Sequence, residues 1–155
     1  MHLGSRSPIY DVILLAHIVS VLGGFGANGL AGIYAGQLSP VPSEGAVKYF
    51  NSPNFYAEKL IYLIPVFGLT MIAISHGTSE LVRPWVIFGI VAWVIAVGIA
   101  HSLVWPNERK IAGFLSNDHG AEMESAAKKI SRGAMILDLI FVVTLIVMIV
   151  QPGGR

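Results

Sequence analysis

The chain has 155 residues, 54% of them apolar and only 12% charged, with a formal net charge of +1. That length holds one domain, and a charged fraction about half that of a soluble domain leaves most of the surface unsuited to water. A net charge so close to zero excludes nucleic acid as a partner, since phosphate binding needs a concentrated basic face. The lack of cysteine excludes thiolate metal sites, iron–sulfur ligation and disulfides.

Four apolar stretches follow in chain order. The first runs over 9–36, interrupted by Asp11, His17 and Asn28, and is too long for a signal-peptide core, so it reads as a retained span. The second covers 53–76, with Ser52 as N-cap and Pro53 in the first helical position, where a missing N–H costs nothing. Pro65 inside it predicts a kink and a freed carbonyl. The third covers 85–105, opened by Pro84-Trp85 and closed by Trp105-Pro106. The two tryptophans bracket ~30 Å of helix, the thickness of the hydrocarbon core, and are expected at the two headgroup belts. The fourth covers 133–150 and stops at Gln151-Pro152-Gly153-Gly154.

All four are expected as helices, because unpaired backbone groups are not tolerated in lipid. In a stretch broken by prolines about the start of the second span, Tyr49, Phe50, Phe55 and Tyr56 suggest a segment lying on the headgroups, or a docking patch for another subunit. The polar loop 106–132 ends in a helix from Ala121 that leads into the last span, with acids early, bases late and a Glu124–Lys128 pair. The expected fold is therefore all-α: residues 1–155 as one four-transmembrane-helix bundle with a cytoplasmic extension of the last helix.

Basic residues give the orientation. Arg6, Arg83 and Arg155 fall on one side, against Lys48, Lys59, Arg109, Lys110, Lys128, Lys129 and Arg132 on the other. The richer side belongs in the cytoplasm, which places both termini outside in a multi-pass protein of the bacterial inner membrane.

Ionisable groups within a span need a partner, a cavity or an escape to the interface. His17 lies ~11 Å below the outer edge, and Gly24, Asn28, Ala31 and Ala35 share its stripe, with Gly32 and Gly36 beside them. Small residues there admit another helix or a flat cofactor. His17 is thus a candidate metal (haem iron) ligand or proton relay; the alternative is a hydrogen bond to a neighbouring helix. His101 and Asp138 lie at equal depth near the inner edge, a possible His–carboxylate pair if the third and fourth spans are neighbours. With Asn28, Glu58 and Lys59 they outline an inner polar pocket, unless Glu58 and Lys59 reach the interface. His76, at the outer end of the second span, is a second candidate for cofactor binding, but sits ~10 Å from the height of His17, which favours a single ligand.

Leu14-Leu15-Ala16-His17-Ile18-Val19 with the glycine-rich run to Gly36, and Glu58-Lys59-Leu60-Ile61-Tyr62-Leu63-Ile64-Pro65, resemble the first half of a group of small bacterial membrane proteins. The group includes an uncharacterised family of predicted integral membrane proteins, the CopD-type copper-resistance proteins and the HemJ-type protoporphyrinogen oxidases. Leu22-Gly23-Gly24 stand where HemJ-type proteins commonly carry an aromatic pair, and the uncharacterised family is the closer likeness. The resemblance implies a four-helix bundle whose first-span histidine, His17, ligates a haem b.

Two functions follow. One is a haem-binding or redox-associated membrane protein working through His17. The other is an accessory subunit that meets further membrane subunits, or a second copy, through Gly24, Gly32 and Gly36. Metal handling is the weakest reading, because Met71, Met123, Met135 and Met148 are scattered.

Overall fold

The computed structural model describes residues 7–39, 41–52, 55–75, 77–115 and 120–151, and every regular element among them is helical. Helix α1 spans Pro8–Gly36. Ser7 caps it, its Oγ accepting from the Tyr10 amide at 3.2 Å, and Pro8 fills the first position. Helix α2, Glu44–Asn51, is capped in the same way by Ser43, whose Oγ accepts from the Ala46 amide at 3.2 Å. Helix α3 spans Phe55–Ser75, and a 3₁₀ segment, Gly77–Val82, carries an ion pair of 2.8 Å between Glu80 and Arg83. Helix α4, Pro84–Ile99, continues through a π turn, Ala100–Val104, into α5, Trp105–Phe114. Helix α6 spans Gly120–Val150.

Three of these runs are long and apolar enough to cross a membrane: Pro8–Gly36, Pro84–Phe114 and Ala121–Val150. Helix α3 adds a shorter apolar stretch, Lys59–Ser75.

Several expected boundaries shift. Ser52 does not open the second span; it closes α2, with its Oγ donating to the Lys48 carbonyl at 2.9 Å. Tyr49 and Phe50 do not lie out on a membrane surface either. Phe50 and Ala46 are buried in the core, and Tyr49 stacks on Tyr34 with ring centroids 4.6 Å apart. The third span does not stop at Trp105-Pro106. Proline cannot donate to the carbonyl four residues back and crowds it, but the wider π turn just before Pro106 absorbs the mismatch, with the Trp105 amide reaching back to the Ala100 carbonyl. Asn107 then donates its side-chain amide to the Leu103 carbonyl at 2.8 Å, and the helix proceeds. Trp105 itself is only 3% exposed, a core residue and not a belt residue.

Helix α1 is central. It packs antiparallel on α3 along one side and on α6 along another, while the run α4–α5 packs on α6; α3 and α4 scarcely meet. Glycines set the closest approaches. A side-chain carbon at Gly24 would lie 2.9 Å from the Ile61 amide nitrogen, and one at Gly32 would collide with the Ala134 side chain. Between those points Phe25 meets Phe141 with centroids 5.4 Å apart. On the far side of α6, Gly133 admits Val104, Leu103 and Ile99. Such contacts matter in lipid, where close van der Waals packing, and not expulsion of water, joins helices.

The buried core is lopsided. Its apolar members fall on Phe25 to Leu38, Ala46, Phe50, Ile61, Ala92 to Val104, Trp105, Ile111 and Ala126 to Leu137. Toward the end where α1 begins and α6 stops, only Val86 and the polar Ser20 and Glu80 are buried as deeply among the described residues.

Candidate functional site

His17 lies just beyond the end of that core. Its Nδ1 is 3.0 Å from the Ile64 carbonyl oxygen, a distance at which a ring N–H donates. Its Cε1 lies 3.3 Å from where a side-chain carbon on Gly68 would sit. The glycine is what lets α3 accept the ring edge-on. With the hydrogen on Nδ1 the imidazole is neutral and Nε2 keeps its lone pair, and no described residue bonds Nε2. A backbone carbonyl holding one ring nitrogen while the other stays open is how metal-binding histidines are generally oriented.

The neighbourhood of Pro65 explains the rest of this contact. Pro65 has no N–H, so the Ile61 carbonyl loses its helical partner. Trp93 of α4 supplies the replacement, its indole Nε1 donating to the Ile61 oxygen at 2.8 Å. The freed carbonyl expected from the sequence is thus satisfied from a neighbouring helix. Trp93 was not singled out in the sequence, although a donor with an apolar body is what a carbonyl freed by a proline inside an apolar helix calls for.

In the same half of the molecule, the Trp85 Nε1 and Thr144 Oγ1 atoms are buried without a hydrogen-bond partner among the described residues. Ser20 is satisfied within its own helix, donating to the Ala16 carbonyl at 2.8 Å. The helix pairs stay in touch through His17 on Gly68 and through Met148, which covers Gly89.

The other residues of the stripe are used differently from His17. Gly24 and Gly32 are closed by Ile61 and Ala134, so that face receives helices of the same chain, whereas Gly36 has nothing within 4 Å. Asn28, 3% exposed, donates its Nδ2 to the Gly24 carbonyl at 2.7 Å and leaves Oδ1 buried without a partner among the described residues.

Nor do His101 and Asp138 meet. Ala100 and Val104 are fully buried, and Val104 packs against Gly133 of α6. His101, the neighbour of Ala100, is turned roughly 100° away and bonds through Nε2 to the Tyr62 hydroxyl of α3. Its ring also stands edge-on to Trp105, centroids 4.3 Å apart. On α6, Leu137 takes the core position and Asp138 turns to α1, its Oδ1 lying 3.2 Å from the place of a Gly29 side-chain carbon. Azimuth, set by which neighbour faces the core, was not legible in the sequence. Glu58 lies within α3, but its side chain and the whole of His76 lie outside the described residues.

No group of three or more His, Cys, Asp or Glu residues is placed to hold a metal ion among the described residues. No family model, curated protein or solved structure matches the chain.

Proposed function

We propose that the chain is a four-pass protein of the bacterial inner membrane in which His17 would hold a haem-type cofactor in the outer half of the bundle. The observation that carries this is the His17 ring, held at Nδ1 by the Ile64 carbonyl, with no hydrogen bond to Nε2 among the described residues. The residues fit such a group on three further counts. The close-packed core ends near this depth. The buried Trp85 and Thr144 groups of the same half have no partner among the described residues. A lone axial histidine also needs no cluster of ligands. The inner half fits poorly, since Ile61 and Ala134 already occupy the faces of Gly24 and Gly32. A bound haem would supply one-electron chemistry, and the protein's part is to hold and orient the ligand ring and shield it from water.

In this reading α3 is the fourth crossing, both termini face outside, and the far end with Lys110, Lys128, Lys129 and Arg132 is cytoplasmic. The run Pro84–Phe114 and α6, of 31 residues each, span ~46 Å against a ~30 Å core and so project beyond it. A second reading, an accessory subunit, is favoured by Gly26, Gly36 and Gly98, where added side chains would meet nothing within 4 Å and a foreign helix has room to approach.

The test is the visible spectrum of the protein purified in mild detergent, oxidised and reduced, for wild type and His17→Ala. A Soret band that the substitution abolishes supports the haem reading. A colourless protein that co-purifies with fixed partners supports the subunit reading and counts against the haem.

A further inference from the structure

We propose that Tyr62, His101 and Trp105 form a site for the head group of a lipid-soluble quinone, entered from the bilayer between α3 and α4. The site draws on α3, the π turn and the start of α5, and stands whether or not His17 holds a cofactor.

The first argument is hydrogen-bond accounting. The Tyr62 hydroxyl and His101 Nε2 are bonded to each other. If the hydroxyl donates, the ring hydrogen sits on Nδ1 and is unspent; if Nε2–H donates, the hydroxyl hydrogen is unspent. Either way the pair retains a donor that no described residue takes up. Hydrocarbon offers no acceptor, and an unpaired donor there is costly. A carbonyl oxygen on a molecule dissolved in the bilayer satisfies it.

Shape and access point the same way. Tyr62 is 39% exposed and His101 is exposed, because α3 and α4 scarcely meet at this seam. The three rings form one cluster, with Tyr62 and Trp105 centroids 6.0 Å apart and Tyr62 and His101 6.2 Å apart. Trp105, itself buried, backs the two exposed rings, so that Tyr62 and His101 give a planar guest an aromatic edge beside a donor. The π turn that carries His101 is the kind of helix defect that is frequently found at functional sites.

Depth selects the guest. Counting ~30 Å from Pro84 ends the hydrocarbon near Val104, so His101 lies roughly 5 Å inside it. Phospholipid phosphates stay outside that boundary, whereas an uncharged quinone ring on an isoprenoid tail enters it.

The experiment uses the full chain in lipid nanodiscs, titrated with a decyl-tailed benzoquinone while tryptophan fluorescence is followed. Saturable quenching is expected for wild type and for His17→Ala. His101→Leu should weaken it roughly fivefold to tenfold, the equivalent of about one hydrogen bond, and Tyr62→Phe should weaken it in the same direction. Circular dichroism and size exclusion establish that each variant is folded, and Tyr62→Phe decides the matter if His101→Leu is not. Non-saturating quenching of wild type, or an affinity unchanged in the folded variants, overturns the site. Saturable quenching that added phosphatidylglycerol abolishes overturns it in favour of a phospholipid.

Discussion

Trp93 and Pro65 are linked by one oxygen atom. The indole of Trp93 donates to the Ile61 carbonyl at 2.8 Å, the carbonyl that Pro65 leaves without a helical donor. Trp93→Phe removes the donor while keeping an aromatic ring. Interhelical hydrogen bonds in membranes contribute about 0.6–1.7 kcal/mol, and stranding a buried acceptor costs about 1–3 kcal/mol, so the substitution should destabilise by about 1–2 kcal/mol. Pro65→Ala returns an N–H that can reach the same oxygen within α3. In that background Trp93→Phe should lose most of its effect, leaving a coupling energy of about 1 kcal/mol between the two sites. Unfolding in mixed micelles, followed by circular dichroism for all four members of the cycle, measures it. If Trp93→Phe costs the same with alanine at position 65, the indole is not standing in for the missing amide and the reasoning fails.

Glycine packing gives a graded series. Gly24→Ala should destabilise by about 1–3 kcal/mol, because its side-chain carbon would lie 2.9 Å from backbone nitrogen that cannot move cheaply. Gly36→Ala meets nothing within 4 Å and should be neutral in the same micelle unfolding assay; equal costs at both positions would contradict the helix contacts. The Glu124 carboxyl is held below its ordinary value by its hydrogen bond to Lys128, with the lysine charge adding to it. A depressed folded-state value means that this pair supports the helix at pH above the usual carboxylate range and is lost as pH falls through the lowered value. Carboxyl chemical shifts should show the Glu124 midpoint rising in Lys128→Ala, and an unmoved midpoint would refute the pairing. Since the chain has no cysteine, single cysteines report its topology. An impermeant thiol reagent added to intact cells should label Gln151→Cys and spare Ser125→Cys, and the reverse pattern would invert the orientation.

The helices themselves were written in apolar run length, whereas the N-cap read at Ser52 closes α2 instead. Ser7 and Pro8 open α1, Pro84 opens α4, and Gln151, with a positive φ of 46°, follows the last residue of α6. What the sequence concealed was the effect of context on a proline. Pro53 and Pro106 read alike as boundaries, yet a π turn absorbs Pro106 and the helix runs on to Phe114. Azimuth was hidden for a related reason. A span surrounded by lipid is apolar on every side, so no polar face marks which way His101 or Asp138 turns. The helix-close character of the His17 stripe was readable, since Ile61 and Ala134 close on Gly24 and Gly32. The acceptor on α3 was not, because it is a backbone carbonyl and carries no residue signature.

Cofactor ligation through the open nitrogen of His17 is tested most directly by chemical rescue. Haemin titrated into His17→Gly protein in detergent should show no saturable Soret shift, and adding free imidazole should restore the shift with wild-type stoichiometry. A wild-type protein that binds no haemin, or a His17→Gly variant that binds it as tightly without imidazole, would contradict the account.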